Sequence, residues 1–256
     1  MDTLATRLTT SDGISIAYRV IGDDPTRPPV VLQHGFAASA ARNWEAPGLV
    51  NALLDDGRRV ILVDARGHGE SDKPHDPAHY GEPRMARDLM ELFDALGLSE
   101  VDLVGYSMGA IISLLTAAQD TRIRRLVIGG VGAGVIELGG VDTRVMNDRN
   151  LAAALRADDP DTITDPVARG FRAFAEASGN DRFALAAHAE RVHREPILVD
   201  AITAAVTVIA GTEDALAARP EVLADALQAH LIRVPGDHLG AVRTNEFRDA
   251  LLTALR

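Results

Sequence analysis

The sequence predicts an α/β protein with a mostly parallel sheet of about eight strands and helices on both faces. Short apolar runs rich in Val, Ile and Leu recur along the chain, and segments with helical spacing of apolar residues separate most of them. Because a strand covered on both faces exposes no polar side, continuous apolar runs of this length are typical of parallel sheets. The length of 256 residues suits one domain of this class.

The predicted elements alternate regularly along the chain. Two alternating segments flank Asp12-Gly13, which predicts an antiparallel hairpin over residues 8–20. Six further strands are predicted at residues 30–33, 59–64, 101–104, 125–128, 205–210 and 230–234. Helices are predicted at residues 47–56, 82–96, 111–118, 220–227 and 245–255. Pro47 suits the first turn of its helix, and Gly57 and Gly97 are helix stop signals.

The alternation of predicted strands and helices stops after a glycine-rich loop at residues 129–140. Residues 141–200 show no convincing strand and three short helical patterns, at residues 151–155, 166–177 and 182–192. We therefore predict one domain over residues 1–256, with a helical cap inserted at about residues 137–204. Such an insertion lies over the carboxyl edge of the sheet, where ligands bind in open α/β sheets.

Composition excludes several classes of function. The net charge of −11 leaves no basic face, so neither nucleic acid nor a membrane surface is expected as a partner. The absence of cysteine excludes disulfides, thiolate zinc sites and a cysteine nucleophile. The first residues lack a signal-peptide pattern and no apolar run is long enough to span a membrane, so a cytoplasmic protein is expected. The oligomeric state is left open.

The stretch from Val101 to Ala110 carries the strongest functional pattern. An apolar strand ends in Gly105-Tyr106-Ser107-Met108-Gly109, and a buried helix follows. A serine at the tip of so tight a turn has strained backbone, so its neighbours must lack Cβ atoms that would collide across the turn. Its hydroxyl is exposed, and the amides of the following helix point towards any oxyanion that forms. Ser107 is the predicted nucleophile.

A serine nucleophile needs a base, and the base works best when a carboxylate fixes its tautomer. His238 follows the last predicted strand, and Glu213 and Asp214 follow the strand before it. We predict His238 as the base and one of these two carboxylates as its partner. An oxyanion hole needs two backbone donors, for which we predict the amides of Met108 and Phe36.

Five motifs occur in an order that resembles the α/β-hydrolase fold, across nearly the whole chain outside the cap. They are His34-Gly35-Phe36, Asp64-x-Arg66-Gly67-His68-Gly69-x-Ser71, the Ser107 pentapeptide, Gly211-x-x-Asp214 and Gly236-Asp237-His238. Within that superfamily the chain is similar to small esterases, enol-lactonases and cofactor-free haloperoxidase-like proteins. The resemblance implies Asp214 rather than Glu213 as the acid, and acyl transfer through an acyl-serine.

Three positions depart from the pattern of many members and leave the subfamily open. Ala110 stands where many relatives have a second glycine, and Ala205 stands where the strand usually opens with proline. The residues Leu239-Gly240-Ala241 lack the bulky side chains common after the histidine.

The expected function is a serine hydrolase that cleaves a small carboxylic ester, lactone or thioester, with no cofactor and no metal. The same residues also suit haloperoxidase-type perhydrolysis or cleavage of a C–C bond beside a carbonyl. A third alternative is a non-catalytic ligand-binding receptor on the same fold. Phe171 and Phe174, three residues apart on a cap helix, are expected to roof an apolar acyl pocket.

Four further histidines are not predicted to take part in the reaction. His34 and His68 follow strands and are expected to bridge the loops at strand ends rather than to react. His188 and His193 lie five residues apart, which places them on different faces of a helix and argues against a metal site. Both are predicted on the surface.

Overall fold

A sheet of eight strands runs through the centre of the molecule. The computed structural model describes residues 5–24, 26–142, 144 and 148–256. The strands are β1 (Thr6–Thr9), β2 (Ser15–Ile21), β3 (Val30–Gln33), β4 (Val60–Val63), β5 (Val101–Tyr106), β6 (Ile123–Gly129), β7 (Ala205–Gly211) and β8 (His230–Val234).

The strand order across the sheet is β1-β2-β4-β3-β5-β6-β7-β8. The β1–β2 and β2–β4 pairs are antiparallel, whereas all other neighbours are parallel. The predicted mostly parallel sheet is therefore confirmed. Because β3 and β5 to β8 run in the same direction, their carboxyl ends meet at one edge, where the loops that follow them can share a site.

Nine helices belong to the described residues. They are α1 (Leu49–Asp55), α2 (Glu82–Ala95), α3 (Met108–Ala117), α4 (Gly134–Leu138), α5 (Asp148–Arg156), α6 (Pro166–Ala177), α7 (Arg182–Ala189), α8 (Pro220–Ala226) and α9 (Asn245–Ala254). Apolar side chains of α2, α3 and α8 form one core cluster, and those of α1 and α9 form another with the opposite side chains of the strands. Helices on both faces of the sheet are thus confirmed. No helix in the described ranges is long and apolar enough to cross a membrane.

Helix α4 lies within the segment predicted as a glycine-rich loop, and that prediction is wrong for residues 134–138. Val135 is fully buried in the core, and Gly139 ends the helix with a φ of 78°. A five-residue helix that contains one buried valine has no visible period, so the pattern could not reveal it.

Helices α5, α6 and α7, which we call the cap helices, lie between β6 and β7 in the chain. Helix α6 matches the predicted segment at residues 166–177, and α7 ends three residues before the predicted end at Val192. The cap helices bury their own apolar cluster, which also contains Ala37 from the loop after β3. The assignment of residues 137–204 to a cap within one domain stays a prediction.

The turn between β5 and α3 brings helix and sheet backbones into very close contact. A Cβ atom on Gly109 would lie 2.1 Å from the Gln33 carbonyl oxygen, and one on Gly105 would lie 2.3 Å from the Gly109 carbonyl oxygen. Real Cβ atoms do not approach backbone this closely, so both positions require glycine for reasons of space.

Replacing Gly109 by alanine should therefore destabilise the fold. We expect Gly109→Ala to lower the free energy of unfolding in urea by about 2–3 kcal/mol, because backbone atoms of β3 must move aside. Gly170→Ala is the matched control, since Gly170 lies exposed within α6 and a Cβ there meets no atom within 4 Å. The control should raise the free energy of unfolding by up to about 1 kcal/mol. Equal effects of the two substitutions would contradict the steric argument.

Candidate active site

Ser107 lies at the tip of the turn between β5 and α3. Its backbone has φ 55° and ψ −118°, a conformation that is strained for any residue with a Cβ atom. The Ser107 amide donates to the Gly129 carbonyl over 2.8 Å, which fixes the turn against the end of β6. The residue lies at the carboxyl edge of the sheet, and only 8% of its surface is exposed to solvent.

Three side chains from different strand ends form a hydrogen-bonded array, which we call the Ser107 array. His238 Nε2 lies 2.9 Å from Ser107 Oγ, and His238 Nδ1 lies 2.9 Å from Asp214 Oδ2. A carboxylate can only accept, so Nδ1 carries the proton and Nε2 is the acceptor for the serine hydroxyl. An array with this geometry can remove the proton of Ser107 as its oxygen attacks a carbonyl carbon.

The carboxylate of Asp214 is held in place from both sides. Its Oδ1 accepts from the backbone amides of Leu216 and Ala217 at 2.9 and 3.3 Å, and its side chain is fully buried. Glu213, the other acid considered from the sequence, is exposed to solvent. The structure therefore brings Asp214 to His238.

Tyr106 supports the base from the residue before the serine. Its hydroxyl donates to the His238 carbonyl oxygen over 2.7 Å, and the two ring centroids lie 5.5 Å apart. Burial, together with the charges of Asp214 and Asp237, raises the pKa of Tyr106 well above its usual value, so the phenol stays a donor. The sequence interpretation missed this role, because Tyr106 occupies a position of the pentapeptide motif that any residue can fill.

The amides of Phe36 and Met108, predicted to form the oxyanion hole, are both without a hydrogen-bond acceptor in the described part of the chain. In the loop after β3, the Gly35 amide donates to Asn43 Oδ1 over 3.1 Å and the Ala37 amide donates to His68 Nε2 over 3.1 Å. The Phe36 amide between them has no acceptor among the described residues, nor has that of Met108 at the first position of α3. Both are therefore available as donors, as expected for a helix N-terminus and an adjacent loop.

A cavity extends from Ser107 between α3 and the cap helices, and we call it the Ser107 cavity. Its lining is mostly apolar and includes Met108, Ile111 and Phe171. Phe171 packs edge-on against Phe36, with ring centroids 6.0 Å apart. Phe171 also lines two neighbouring openings on the side of His238, and Phe174 lines these openings with it. The role of the two phenylalanines as the roof of an acyl pocket stays a prediction.

The sequence matches the profile of the alpha/beta hydrolase fold over residues 28–195. The chain belongs to this family.

Three comparisons show how this α/β-hydrolase-fold protein relates to known members. It is 41% identical to 2-hydroxy-6-oxo-2,4-heptadienoate hydrolase of Pseudomonas putida over 118 residues, which cover 44% of this chain and 41% of that one. A hydrolase from Pseudomonas aeruginosa PA01 superposes with a TM-score of 0.80 at 29% identity, over 100% of this chain and 99% of the other.

The enol-lactonase from Burkholderia xenovorans LB400 superposes with a TM-score of 0.81 over 98% of this chain and 99% of that one. At 22% identity, this likeness establishes the shared fold alone. The matches to curated relatives are partial, covering between 31% and 53% of each relative.

Two buried histidines tie the loops of this α/β-hydrolase-fold protein together, as predicted. His34 Nε2 accepts from the Ala65 amide over 3.0 Å, and its Nδ1 lies 2.8 Å from the Gly35 carbonyl oxygen. His68 likewise accepts from the Ala37 amide, and its Nδ1 lies 2.9 Å from the Arg66 carbonyl oxygen. Burial lowers the pKa of both imidazoles, so both are neutral and can donate at Nδ1 while they accept at Nε2.

Asn180, between α6 and α7, connects the cap helices to the loop after β3. Its Nδ2 donates to the Ala37 carbonyl oxygen over 2.7 Å, one residue from the Phe36 amide. No sequence signal identified this contact, because an asparagine before a helix is ordinarily interpreted as part of a helix start.

His188 lies in the interior, and the prediction that it is on the surface is wrong. It is 1% exposed, and its ring stacks on that of Tyr80 with centroids 5.6 Å apart. Helix α7 ends at Ala189, so His193 lies in the following loop, half-buried, with its Nδ1 2.7 Å from the Gly139 carbonyl oxygen. Residues 184–189 of α7 are all buried, so this part of the helix has no solvent-exposed face on which His188 could lie. Within the described ranges, no cluster of three or more candidate ligands forms a metal site.

The neutral histidines predict a loss of stability in mild acid. Below the ordinary pKa near 6.5 the unfolded chain binds protons at His34 and His68 that the folded protein excludes, so stability decreases as the pH falls. Between pH 7.5 and 5.5, each of the two residues should lower the free energy of unfolding in urea by up to about 1.4 kcal/mol, the limit for a histidine that stays neutral in the folded protein.

His68→Gln should remove about half of that pH-dependent difference. His230, exposed at the start of β8, is the control, and His230→Gln should leave the difference unchanged. An undiminished difference in His68→Gln would show that another group causes the acid sensitivity.

Proposed function

We propose that this protein is a serine hydrolase that cleaves a small carboxylic ester, lactone or thioester through an acyl-serine intermediate. The observation that carries the proposal is the Ser107 array, in which the serine, the imidazole and the carboxylate are joined by hydrogen bonds of 2.9 Å at the mouth of an apolar cavity. All groups required for this reaction are side chains, backbone amides and water, so the proposal needs no cofactor and no metal.

The proposed reaction has two halves. Ser107 Oγ attacks the carbonyl carbon while His238 Nε2 takes its proton, and the oxyanion accepts from the Phe36 and Met108 amides. The imidazolium then protonates the leaving alcohol or thiol, which departs. In the second half, His238 takes a proton from water, the hydroxide attacks the acyl carbon, and Ser107 leaves with its proton restored. Asp214 stays ionised throughout and stabilises the imidazolium.

A second candidate reaction is hydrolysis of a C–C bond beside a carbonyl by the same residues. The Pseudomonas putida relative supports it, because the substrate in its name, 2-hydroxy-6-oxo-2,4-heptadienoate, is a keto acid without an ester bond. Haloperoxidase-type perhydrolysis would use the same acyl-serine with peroxide in place of water. A panel of esters, lactones, thioesters and vinylogous diketones separates these reactions by the product that forms.

Replacing the nucleophile should abolish ester hydrolysis without unfolding the protein. We expect Ser107→Ala to lower kcat/KM for p-nitrophenyl butyrate by about 1,000-fold or more. A fluorophosphonate probe should label the unmodified protein stoichiometrically at Ser107 and leave the variant unlabelled. Unchanged turnover in Ser107→Ala would refute the mechanism. Failure of the folded protein to react with the probe would favour a ligand-binding receptor.

Neighbouring carboxylates provide a matched test of the acid. Asp214→Asn should lower kcat by about 1,000-fold or more, because an amide can donate to Nδ1 and leave the proton on Nε2, where it blocks proton transfer. Glu213 is the preceding residue, and its side chain is exposed. Glu213→Gln removes the charge of that side chain and should change kcat less than about twofold. If Glu213→Gln lowers kcat strongly and Asp214→Asn retains activity, Glu213 and not Asp214 is the acid that pairs with His238.

A further inference from the structure

The Ser107 cavity holds the acyl side of a substrate. In the proposed reaction His238 protonates the leaving group, so the leaving group must lie on the side of His238. The two openings lined by Phe174 and Leu239 include His238, whereas the Ser107 cavity includes Ser107 and Met108 without His238. The acyl group therefore extends away from His238 into the Ser107 cavity.

Most of that cavity is apolar, and one part of its wall is not. The apolar side chains include Met108, Ile111, Val141, Leu151, Val192 and Leu216. Glu82, from the first turn of α2, and His188, from α7, line the same cavity and form what we call the Glu82–His188 pair. His193 also lines the cavity, and its Nδ1 lies 2.7 Å from the Gly139 carbonyl oxygen. An apolar chain that enters past Ser107 therefore meets hydrogen-bonding side chains at one part of a mostly apolar wall.

Glu82 is a buried carboxylate whose loss of hydration is only partly replaced by hydrogen bonds within the protein. It is 2% exposed, its Oε2 accepts from the His193 amide over 2.7 Å, and its Oε1 lies 3.4 Å from His188 Nε2. Burial raises the pKa of this carboxyl, but His188 and the backbone amides outweigh burial and hold the pKa below its usual value. The carboxylate is therefore ionised, and a charge in such surroundings strongly favours a further hydrogen-bond donor.

His188 is rigid and unsatisfied. Its ring stacks on Tyr80, meets Phe36 edge-on with centroids 5.4 Å apart and is 1% exposed, so it has no contact with solvent in this structure. Neither of its ring nitrogens has a hydrogen-bond partner with good geometry in the described part of the chain. A buried polar group left without a partner is destabilising, and a ligand group at this wall would supply the missing hydrogen bond.

We propose that the Glu82–His188 pair selects the substrate: the acyl group is apolar along its length and ends in a hydrogen-bond donor, a hydroxyl or a protonated amine. This inference rests on the proposed function. A methyl end would offer no hydrogen bond to His188 or to the Glu82 carboxylate, and a carboxylate end would face the charge of Glu82. Sites built to bind a polar end group reject analogues that lack it more strongly than apolar pockets reject a missing methylene.

The test compares p-nitrophenyl esters with the same number of heavy atoms and different end groups. Straight acyl chains of six to eight carbons end in methyl, hydroxyl, ammonium or carboxylate, and butyrate serves as the short reference. We expect a chain length at which the hydroxyl or ammonium ester exceeds the methyl ester in kcat/KM by about tenfold or more, which corresponds to about 1.4 kcal/mol. The carboxylate ester should be the poorest substrate.

Two variants locate the preference. In Glu82→Gln and His188→Phe, the ratio of kcat/KM for donor-ended and methyl-ended esters should fall towards one, and the ratio is measured within each variant. Glu246→Gln is the matched control, because Glu246 is also a first-turn glutamate but is exposed on α9; it should keep both the ratio and the butyrate activity.

The outcomes separate the two proposals. If butyrate is hydrolysed and methyl-ended esters equal or exceed donor-ended esters at every length, the inference is wrong and the proposed function stands. The inference is also wrong if carboxylate-ended esters are preferred, or if the ratio persists in both variants. If the protein hydrolyses no ester at all, both proposals fail. If the variants do not fold, the comparison of end groups on the unmodified protein decides.

Discussion

The close contact between the first turn of α3 and the end of β3 is the constraint on which the site depends. Gly109 sits where a Cβ atom would touch the Gln33 carbonyl, so helix and strand backbones are separated by little more than contact distance. That contact sets Met108 beside the loop that begins at His34. The first turn of α3 and the loop after β3, which carry the Met108 and Phe36 amides of the proposed oxyanion hole, are thereby held next to each other by backbone contact.

Buried imidazoles hold these loops in a way that charged residues could not. His34 and His68 each join two backbone segments through one donor and one acceptor, which is possible only for a neutral ring. These two neutral rings therefore hold the loop after β3 without adding a net charge to it.

The sequence predicted those residues of the site that directly follow strands of the parallel sheet. Asp214 and His238 follow strands, and the carboxyl ends of parallel strands meet, so their proximity to Ser107 followed from topology. Glu82, Asn180 and His188 could not be found in this way. They reach the site because the cap helices dock on α2 and on the loop after β3, and periodicity records which face of a helix is apolar but not which element covers it.

The bond from Tyr106 to the His238 carbonyl spans the sheet edge from β5 to the loop after β8. The residue that precedes the nucleophile therefore carries the base, and the two reacting groups share one mechanical support. Strands β6 and β7 lie between β5 and β8 in the sheet, yet this hydrogen bond joins the two outer strand ends directly. The base is thus attached to the turn of the nucleophile itself and not only through the two strands between them.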